Sequence, residues 1–218
     1  ANPTAQPSST TTYTVLVTDG NTCSALDSVI VTVNPLPALN AGADTAFCMG
    51  GSVQLGALGS GQFSWSPASG LNATDVPDPI ASPSATTTYT VTLTDGNQCA
   101  STDDVTVAVL GLPNADAGAD AYLCPGFEIQ LQGNGGGTPA WSPVADLNDP
   151  NALEPLASPV VPTTYTLTIT DGNGCTASDA VFIDVNTDPP ADAGADQSIC
   201  QGQQVTLGGS PTAIPGTT

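Results

Sequence analysis

Apolar and polar residues alternate strictly in the segment TYTVTLT at residues 88–94. Tyr89, Val91 and Leu93 fall on one side of an extended chain, and the threonines fall on the other. This period of two in aromatic and β-branched residues predicts a strand whose threonines face water. The residues DGN follow directly and predict a hairpin turn, and DVTVAVL at 104–110 alternates again. The pattern therefore predicts a β-hairpin.

Shorter strand signals precede this hairpin. SVQL at 52–55 and QFSW at 62–65 have strand composition, and glycine-rich segments separate them. No segment shows helical spacing over more than one turn. Several short strands at intervals of roughly ten residues predict an all-β sandwich.

The hairpin sequence occurs three times, at 10–23, 86–99 and 162–175. The cysteines at 23, 99 and 175 are 76 residues apart, as are those at 48, 124 and 200. A fixed period of this size indicates tandem small domains in an elongated array. Proline-rich joints divide the chain into the C-terminal part of a repeat, two complete repeats and the N-terminal part of another, at 1–37, 38–113, 114–189 and 190–218. We expect the chain to be an internal piece of a longer protein.

The charge excludes whole classes of function. The chain has 20 acidic residues and no Lys, Arg or His, which gives a net charge of −20. Nucleic acids and anionic membranes are bound through Lys and Arg, so neither is an expected partner. Catalytic systems that need His, Lys or Arg are absent, and Glu128 and Glu154 have no counterparts in the other repeats. We predict no enzymatic activity, and no apolar run is long enough for membrane insertion.

The order of motifs carries a family resemblance. The combination NAGAD, CxGxxVxL, WSP, ASP, TTTYTVTLTDGNxC and VTV resembles the PKD-like and Ig-like repeats of giant secreted surface adhesins of Bacteroidota. The resemblance covers nearly the whole chain. It implies a seven-stranded Ig-like sandwich, secretion to the cell surface, and a role as a stalk or adhesive array. It implies no particular ligand, because such repeats occur in proteins of many uses.

The cysteines allow three pairing schemes. The simplest joins Cys48 to Cys99 and Cys124 to Cys175 within complete repeats, and leaves Cys23 and Cys200 to partners outside the chain. A standard sandwich places Cys48 and Cys99 at opposite ends, however, and a disulfide needs Cα atoms within about 7 Å. A bridge across a joint, such as Cys48 to Cys175, is the second scheme, and pairing at the 25-residue spacing is the third.

Oxygen-bearing side chains recur at each joint and suit calcium. If calcium binds there, it is the one cofactor of the chain, and the alternative is that these residues cap turns. The turn residues Asp95 and Asp171 are assigned to their DGN turns, and Asp103 and Asp179 are expected to face solvent. The candidate calcium ligands are Asn40, Asp44, Asp116, Asp120, Asp192 and Asp196.

Aromatic residues recur at the same period and are assigned to the core. Trp65 and Trp141 could instead form a platform for sugar stacking, but a Trp on a central strand more often fills the core of a sandwich. The predicted core positions are Trp65, Trp141, Tyr13, Tyr89 and Tyr165.

The leading hypothesis is therefore structural. We expect a stalk or fibre segment of a very large extracellular adhesin or surface appendage, which gives reach and mechanical stability for attachment. Its partners would be neighbouring repeats, parallel copies in a fibre, and a target surface bound through other regions. The alternatives are a carbohydrate- or cell-surface-binding module and the accessory domains of a secreted hydrolase.

Overall fold

The computed structural model of the protein describes residues 2–186 and 195–206. Every regular element within those ranges is a β-strand. The chain divides into two compact units, Ala1–Gly111 and Leu112–Thr218. The predicted repeat boundaries stay a prediction, and part of the last predicted repeat lies outside the described residues.

The first unit begins with a hairpin of β1 (Thr11–Thr18) and β2 (Ser24–Val31), which form a two-stranded antiparallel sheet. Eight further strands follow within the first predicted complete repeat. They are β3 (Leu39–Asn40), β4 (Thr45–Cys48), β5 (Val53–Gln54), β6 (Leu58–Gly59), β7 (Gln62–Ser66), β8 (Ile80–Ala81), β9 (Thr87–Thr94) and β10 (Ala100–Leu110).

The second unit contains the same eight strands in the same order. They are β11 (Ala115–Asp116), β12 (Ala121–Leu123), β13 (Ile129–Gln130), β14 (Asn134–Gly135), β15 (Thr138–Ser142), β16 (Leu156–Ala157), β17 (Thr163–Thr170) and β18 (Thr176–Val185).

Each set of eight strands forms a four-stranded sheet and two short ladders. The first sheet has the order β4-β10-β9-β7, in which β9 pairs with both neighbours antiparallel and β4 pairs with β10 in parallel. The ladders β3–β6 and β5–β8 complete this set, and the second unit repeats the arrangement with β12-β18-β17-β15, β11–β14 and β13–β16. These open sheets confirm the predicted all-β sandwich.

The core lies against the inner face of each four-stranded sheet. In the first unit Tyr89, Val91 and Leu93 are fully buried, whereas the threonines between them are partly exposed. Trp65 packs with this row and is 3 % exposed, and Trp141 occupies the same place in the second unit. Tyr165 is also fully buried. The predicted core positions Trp65, Trp141, Tyr89 and Tyr165 are therefore in the core.

Tyr13 departs from the prediction, because it is 38 % exposed. It has the sequence position of Tyr89 but lies on a sheet of only two strands, β1 and β2. The cluster that buries Tyr89 includes Ala41, Leu55 and Trp65 from the N-terminal half of its own repeat. The sequence pattern alone identifies the side of the strand that can be buried, but it does not supply the covering layer.

Candidate functional site

The turn of each hairpin is held by its first aspartate. Asp95 Oδ1 accepts hydrogen bonds from the backbone amides of Asn97 at 2.8 Å and Cys99 at 2.9 Å. Asp19 and Asp171 accept the equivalent bonds in the other two turns. The hydrogen bond from the amide of Cys175 lowers the pKa of Asp171, since it favours the charged carboxylate. The assignment of Asp95 and Asp171 to their turns is confirmed.

The six cysteines differ in whether they form a disulfide bond. Cys48 and Cys175 are disulfide-bonded, whereas Cys23, Cys99, Cys124 and Cys200 are free. The intradomain pairs Cys48 with Cys99 and Cys124 with Cys175 are therefore wrong for this structure. Of the candidate cysteines, Cys48 and Cys175 do form disulfide bonds.

The length of the last strand explains why the intradomain pairs do not form. Cys48 lies opposite Leu110 at the end of β10, whereas Cys99 directly precedes the start of β10. The 11 residues of that strand span roughly 35 Å at about 3.3 Å each. A disulfide requires Cα atoms within about 7 Å, so this geometry keeps the two cysteines apart. Cys124 and Cys175 are separated in the same way by β18.

Two aspartates join the beginning of each complete repeat to its last strand. Asp103 Oδ2 accepts the backbone amide of Ala41, and Asp44 Oδ1 accepts the backbone amide of Thr106, both at 2.8 Å. We call these two reciprocal bonds the aspartate clasp. In the second unit Asp179 accepts from Ala117, and Asp120 accepts from Phe182, at the same distance of 2.8 Å.

The clasp corrects the expectation that Asp103 faces solvent, because Asp103 is only partly exposed. Asp179 is exposed as expected, and its carboxylate also accepts the equivalent hydrogen bond from Ala117. Asp103 has the same parity along β10 as Val105 and Val107, which are buried, so it points towards the inner side of the sheet. The amide of Ala41, followed by that of Asp104, lowers the pKa of Asp103. The alternation in the sequence contains this signal, and attention to charge alone missed it.

The candidate calcium ligands take part in local hydrogen bonds. Asn40 Oδ1 accepts the backbone amide of Gly42, and Asp116 Oδ1 accepts that of Gly118, while Asp44 and Asp120 belong to the clasp. Gly42 and Gly118 have φ angles of 91° and 84°, which suit glycine at these turns. Within the described ranges no group of three or more His, Cys, Asp or Glu could hold a metal. Asp192 lies outside the described residues, Asp196 is exposed, and calcium binding stays a prediction.

The tryptophans are anchored as core residues. Trp65 Nε1 donates to the carbonyl of Val76 at 2.9 Å, and Trp141 Nε1 donates to that of Ala152 at 3.1 Å. With 3 % and 2 % of their surfaces exposed, neither ring offers a face on which a sugar could stack. The interpretation of these residues as a sugar platform is therefore wrong.

The two buried tyrosines hold the loop that follows the Trp strand. Tyr89 Oη donates to the carbonyl of Ser69 at 2.8 Å, and Tyr165 Oη donates to that of Ala145 at 3.5 Å. Burial raises the pKa of both phenols, and the negative charge of Asp146 adds to the effect at Tyr165. Each Tyr thus combines a core role with one specific bond to a loop.

The fold and these contacts define the class of protein: an Ig-like β-sandwich in tandem copies. In both complete repeats the turn aspartates, the clasp aspartates and the buried Trp and Tyr make equivalent hydrogen bonds. In the part of the chain that the structure describes, no helix is long and apolar enough to cross a membrane.

Comparison with known proteins gives structural neighbours only. No protein-family model and no curated protein matches the chain. The chain is similar to the insect immune protein hemolin, with 12% identity over 80% of this chain and 56% of that chain, at a TM-score of 0.40. It is also similar to the first eight Ig domains of Down Syndrome Cell Adhesion Molecule, with 15% identity over 85% of this chain and 33% of that chain, at 0.32.

A third neighbour is the mouse clustered PcdhgC3 EC1-3 structure. It has 12% identity over 81% of this chain and 77% of that chain, at a TM-score of 0.35. Of the hemolin structure, the chain spans little more than half of the length. The fold assignment given above rests on the strand order and the core of the protein itself.

Proposed function

We propose that this chain is a stalk or fibre segment of a very large extracellular adhesin or surface appendage of the Bacteroidota type. Its role is mechanical: tandem sandwiches give reach, and other regions of the protein bind the target surface. Parallel copies of the chain could associate in such a fibre. The proposal is supported by two successive sets of eight strands with the same pairing, in which the turn and clasp aspartates make equivalent hydrogen bonds within the fold.

The observation that carries the proposal is the parallel pairing of β4 with β10. Thr45 lies opposite Val107, and Cys48 lies opposite Leu110. Strand β4 lies near the beginning of the repeat, and strand β10 lies at its end. A force applied through the two chain ends therefore pulls parallel neighbours in opposite directions and shears their hydrogen bonds together. Breaking several bonds at once requires more force than opening them one by one.

The charge of the surface fits an extended fibre. With no cation in the sequence to offset its 20 acids, every repeat repels its neighbours and anionic surfaces. This repulsion weakens as salt shortens the Debye length, which is about 8 Å at physiological ionic strength. The charge would therefore limit non-specific sticking, while covalent continuity holds the repeats together.

Force spectroscopy on single molecules tests this proposal. The chain is pulled by its ends under reducing conditions, so that no cross-link shortens the released polypeptide. Each complete repeat of 76 residues should release roughly 250 Å of chain, less its folded length, in one step. The substitution Ala108→Pro removes a backbone donor from β10 and should lower the force for the first complete repeat only.

Thr32→Pro is the matched control, since Thr32 has the position of Ala108 in the first hairpin but lies beyond the end of β2. It should leave both force steps unchanged. Equal forces for the Ala108→Pro repeat and for the unmodified repeat would show that the parallel pair does not resist force, and would contradict the proposal.

A binding module is the second hypothesis, and exposed aromatic residues are the feature that bears on it. Tyr122 and Phe127 are 77 % and 65 % exposed, but Ala46 and Gly51 occupy the equivalent positions of the first complete repeat. A ligand surface presented by every repeat would need such residues in register. The stalk hypothesis is therefore better supported than a carbohydrate-binding array, and accessory domains of a hydrolase have no specific observation in their favour.

Calcium at the joints remains part of the proposal for the assembled fibre. The test is the unfolding temperature of the chain with calcium and with a chelator. Calcium-stabilised joints require a higher unfolding temperature with calcium than with magnesium at equal ionic strength. Identical curves would remove calcium from the proposal and leave the mechanical role intact.

A further inference from the structure

The first hairpin exposes a face that its counterparts bury. Tyr13, Val15 and Val17 lie on one side of β1 and are 38 %, 57 % and 61 % exposed. Their counterparts at the 76-residue period are Tyr89, Val91 and Leu93, and all three are fully buried. A groove on this hairpin is lined by Pro3 and by residues of both parities, among them Tyr13, Val15 and Leu16. We call the side of Tyr13 the inner face of the hairpin.

The complete repeats show what covers such a face. In the first, the buried cluster around Tyr89 and Val91 includes Ala41, Leu55, Ala57 and Trp65. In the second, Ala117, Leu131 and Trp141 occupy the equivalent places around Tyr165. All of these residues belong to the N-terminal half of their own repeat. The covering layer is thus the same segment in both cases.

The hairpin also retains the polar features that receive this segment. Asp27 has the position of Asp103 and Asp179, whose carboxylates accept the amides of Ala41 and Ala117. Asp27 is exposed. Residues 31–34 have the position of Val107–Leu110, along which β4 pairs in parallel. The hairpin therefore presents half of an aspartate clasp and the edge for one parallel strand.

We propose that the inner face is the docking surface for the N-terminal half of one more repeat. The occupant is a polypeptide segment with the sequence pattern of residues 38–76, and the inference rests on the tandem-array function proposed above. Its counterpart of β4 pairs in parallel with residues 31–34, its Ala41-like amide donates to Asp27, and its Trp packs against Tyr13 and Val15. A lone two-stranded hairpin is marginal in water, so docking stabilises this part of the chain.

A graft tests the proposal directly. Residue 1 has the repeat position of residue 77, so a copy of residues 38–76 is placed ahead of Ala1 in the full chain. Hydrogen exchange is then followed by mass spectrometry for the segment 10–33 and for its counterpart 86–109 in the same molecule. In the original chain 10–33 should exchange much faster. In the grafted chain its exchange should slow on the order of 100-fold or more and approach that of 86–109.

Two matched variants show which side of the hairpin the grafted segment covers. Val15→Asp places a charge on the inner face and should abolish the protection of 10–33 in the grafted chain. Leu26→Asp is the control, since Leu26 is 69 % exposed and has the parity opposite to that of Asp27 and Val29 on β2. It should leave the protection in place. Segment 86–109 reports in every sample that the neighbouring repeat is folded.

Three outcomes would overturn the proposal. The first is a grafted chain in which 10–33 exchanges as fast as before while 86–109 stays protected. The second is equal sensitivity to Val15→Asp and Leu26→Asp. The third is protection in the original chain that rises with protein concentration, which would make a second copy the occupant. Because the force steps of the complete repeats do not depend on this hairpin, failure here is distinguishable from failure of the mechanical function.

Discussion

The strand β1 and the turn after it have nearly the same sequence as β9 and its turn, but the two hairpins have different surroundings. In both, an aspartate holds the turn and the strands pair in the same antiparallel register. Only the second is covered, so Tyr89 is fully buried while Tyr13 is 38 % exposed. The difference separates two contributions: the hairpin segment specifies its own turn and pairing, and the preceding segment provides the burial.

Truncation of the equivalent tyrosines is the test of this comparison with the largest expected effect on stability. Tyr89→Ala should reduce the free energy of unfolding of the first complete repeat by about 3–5 kcal/mol, because it opens a cavity in the core. Tyr13→Ala should have little effect on that repeat, since Tyr13 lies on an exposed face. Urea unfolding followed by Trp65 fluorescence, with Trp141→Phe in every sample, measures the difference. Equal losses for the two variants would contradict the comparison.

The equivalent cysteines after the turns give the next largest effect. Cys175 is fully buried and disulfide-bonded, whereas Cys99 is partly buried and Cys23 exposed, both as free thiols. Cys175→Ser should destabilise the chain by about 2–4 kcal/mol through loss of its disulfide. Cys99→Ser should cost much less. Thermal unfolding of both variants checks this order, and adding a reductant to the original chain should reproduce only the effect of Cys175→Ser.

Local features were predictable from the sequence for a physical reason. Alternation, the turn aspartates and the 76-residue period are properties of short segments, and they predicted the hairpins and the repetition of the sandwich. The two-residue strands of each N-terminal half were weaker signals. They depend on contacts such as the amide of Leu55 donating to the carbonyl of Pro79, which no local pattern reveals.

The cysteine pairing and the aspartate clasp depend on distant contacts. The sequence places Cys48 and Cys99 in one repeat, but the length of β10 separates them. Asp103 meets Ala41 across 62 positions of the chain, and the only local sign is its inward parity beside Val105. Charge composition favours a solvent-facing assignment, and the strand alternation is the better guide at such a position.

The bond from the buried tyrosine to its loop provides a smaller test. Tyr89→Phe keeps the ring but removes the donor to the carbonyl of Ser69, and should cost about 1 kcal/mol. Tyr13→Phe should be neutral within error. The same Trp65 unfolding assay compares them. A neutral Tyr89→Phe would mean that water replaces the phenol at Ser69 without loss.

The smallest expected effect is the pH dependence of the aspartate clasp. The amide of Ala41 lowers the pKa of Asp103 in the folded repeat, so folding favours the charged carboxylate. Its stabilisation is therefore fully present above the ordinary aspartate pKa of about 4 and is lost as the pH falls through the lower folded value. Asp103→Asn removes this contribution, so the stability of the variant should fall less steeply below pH ~4 than that of the original chain.

Asp27→Asn is the control in the uncovered hairpin, where the equivalent carboxylate is exposed, and it should leave the acid dependence of the Trp65 transition unchanged. Parallel acid curves for Asp103→Asn and the original chain would show that the clasp does not contribute to this dependence.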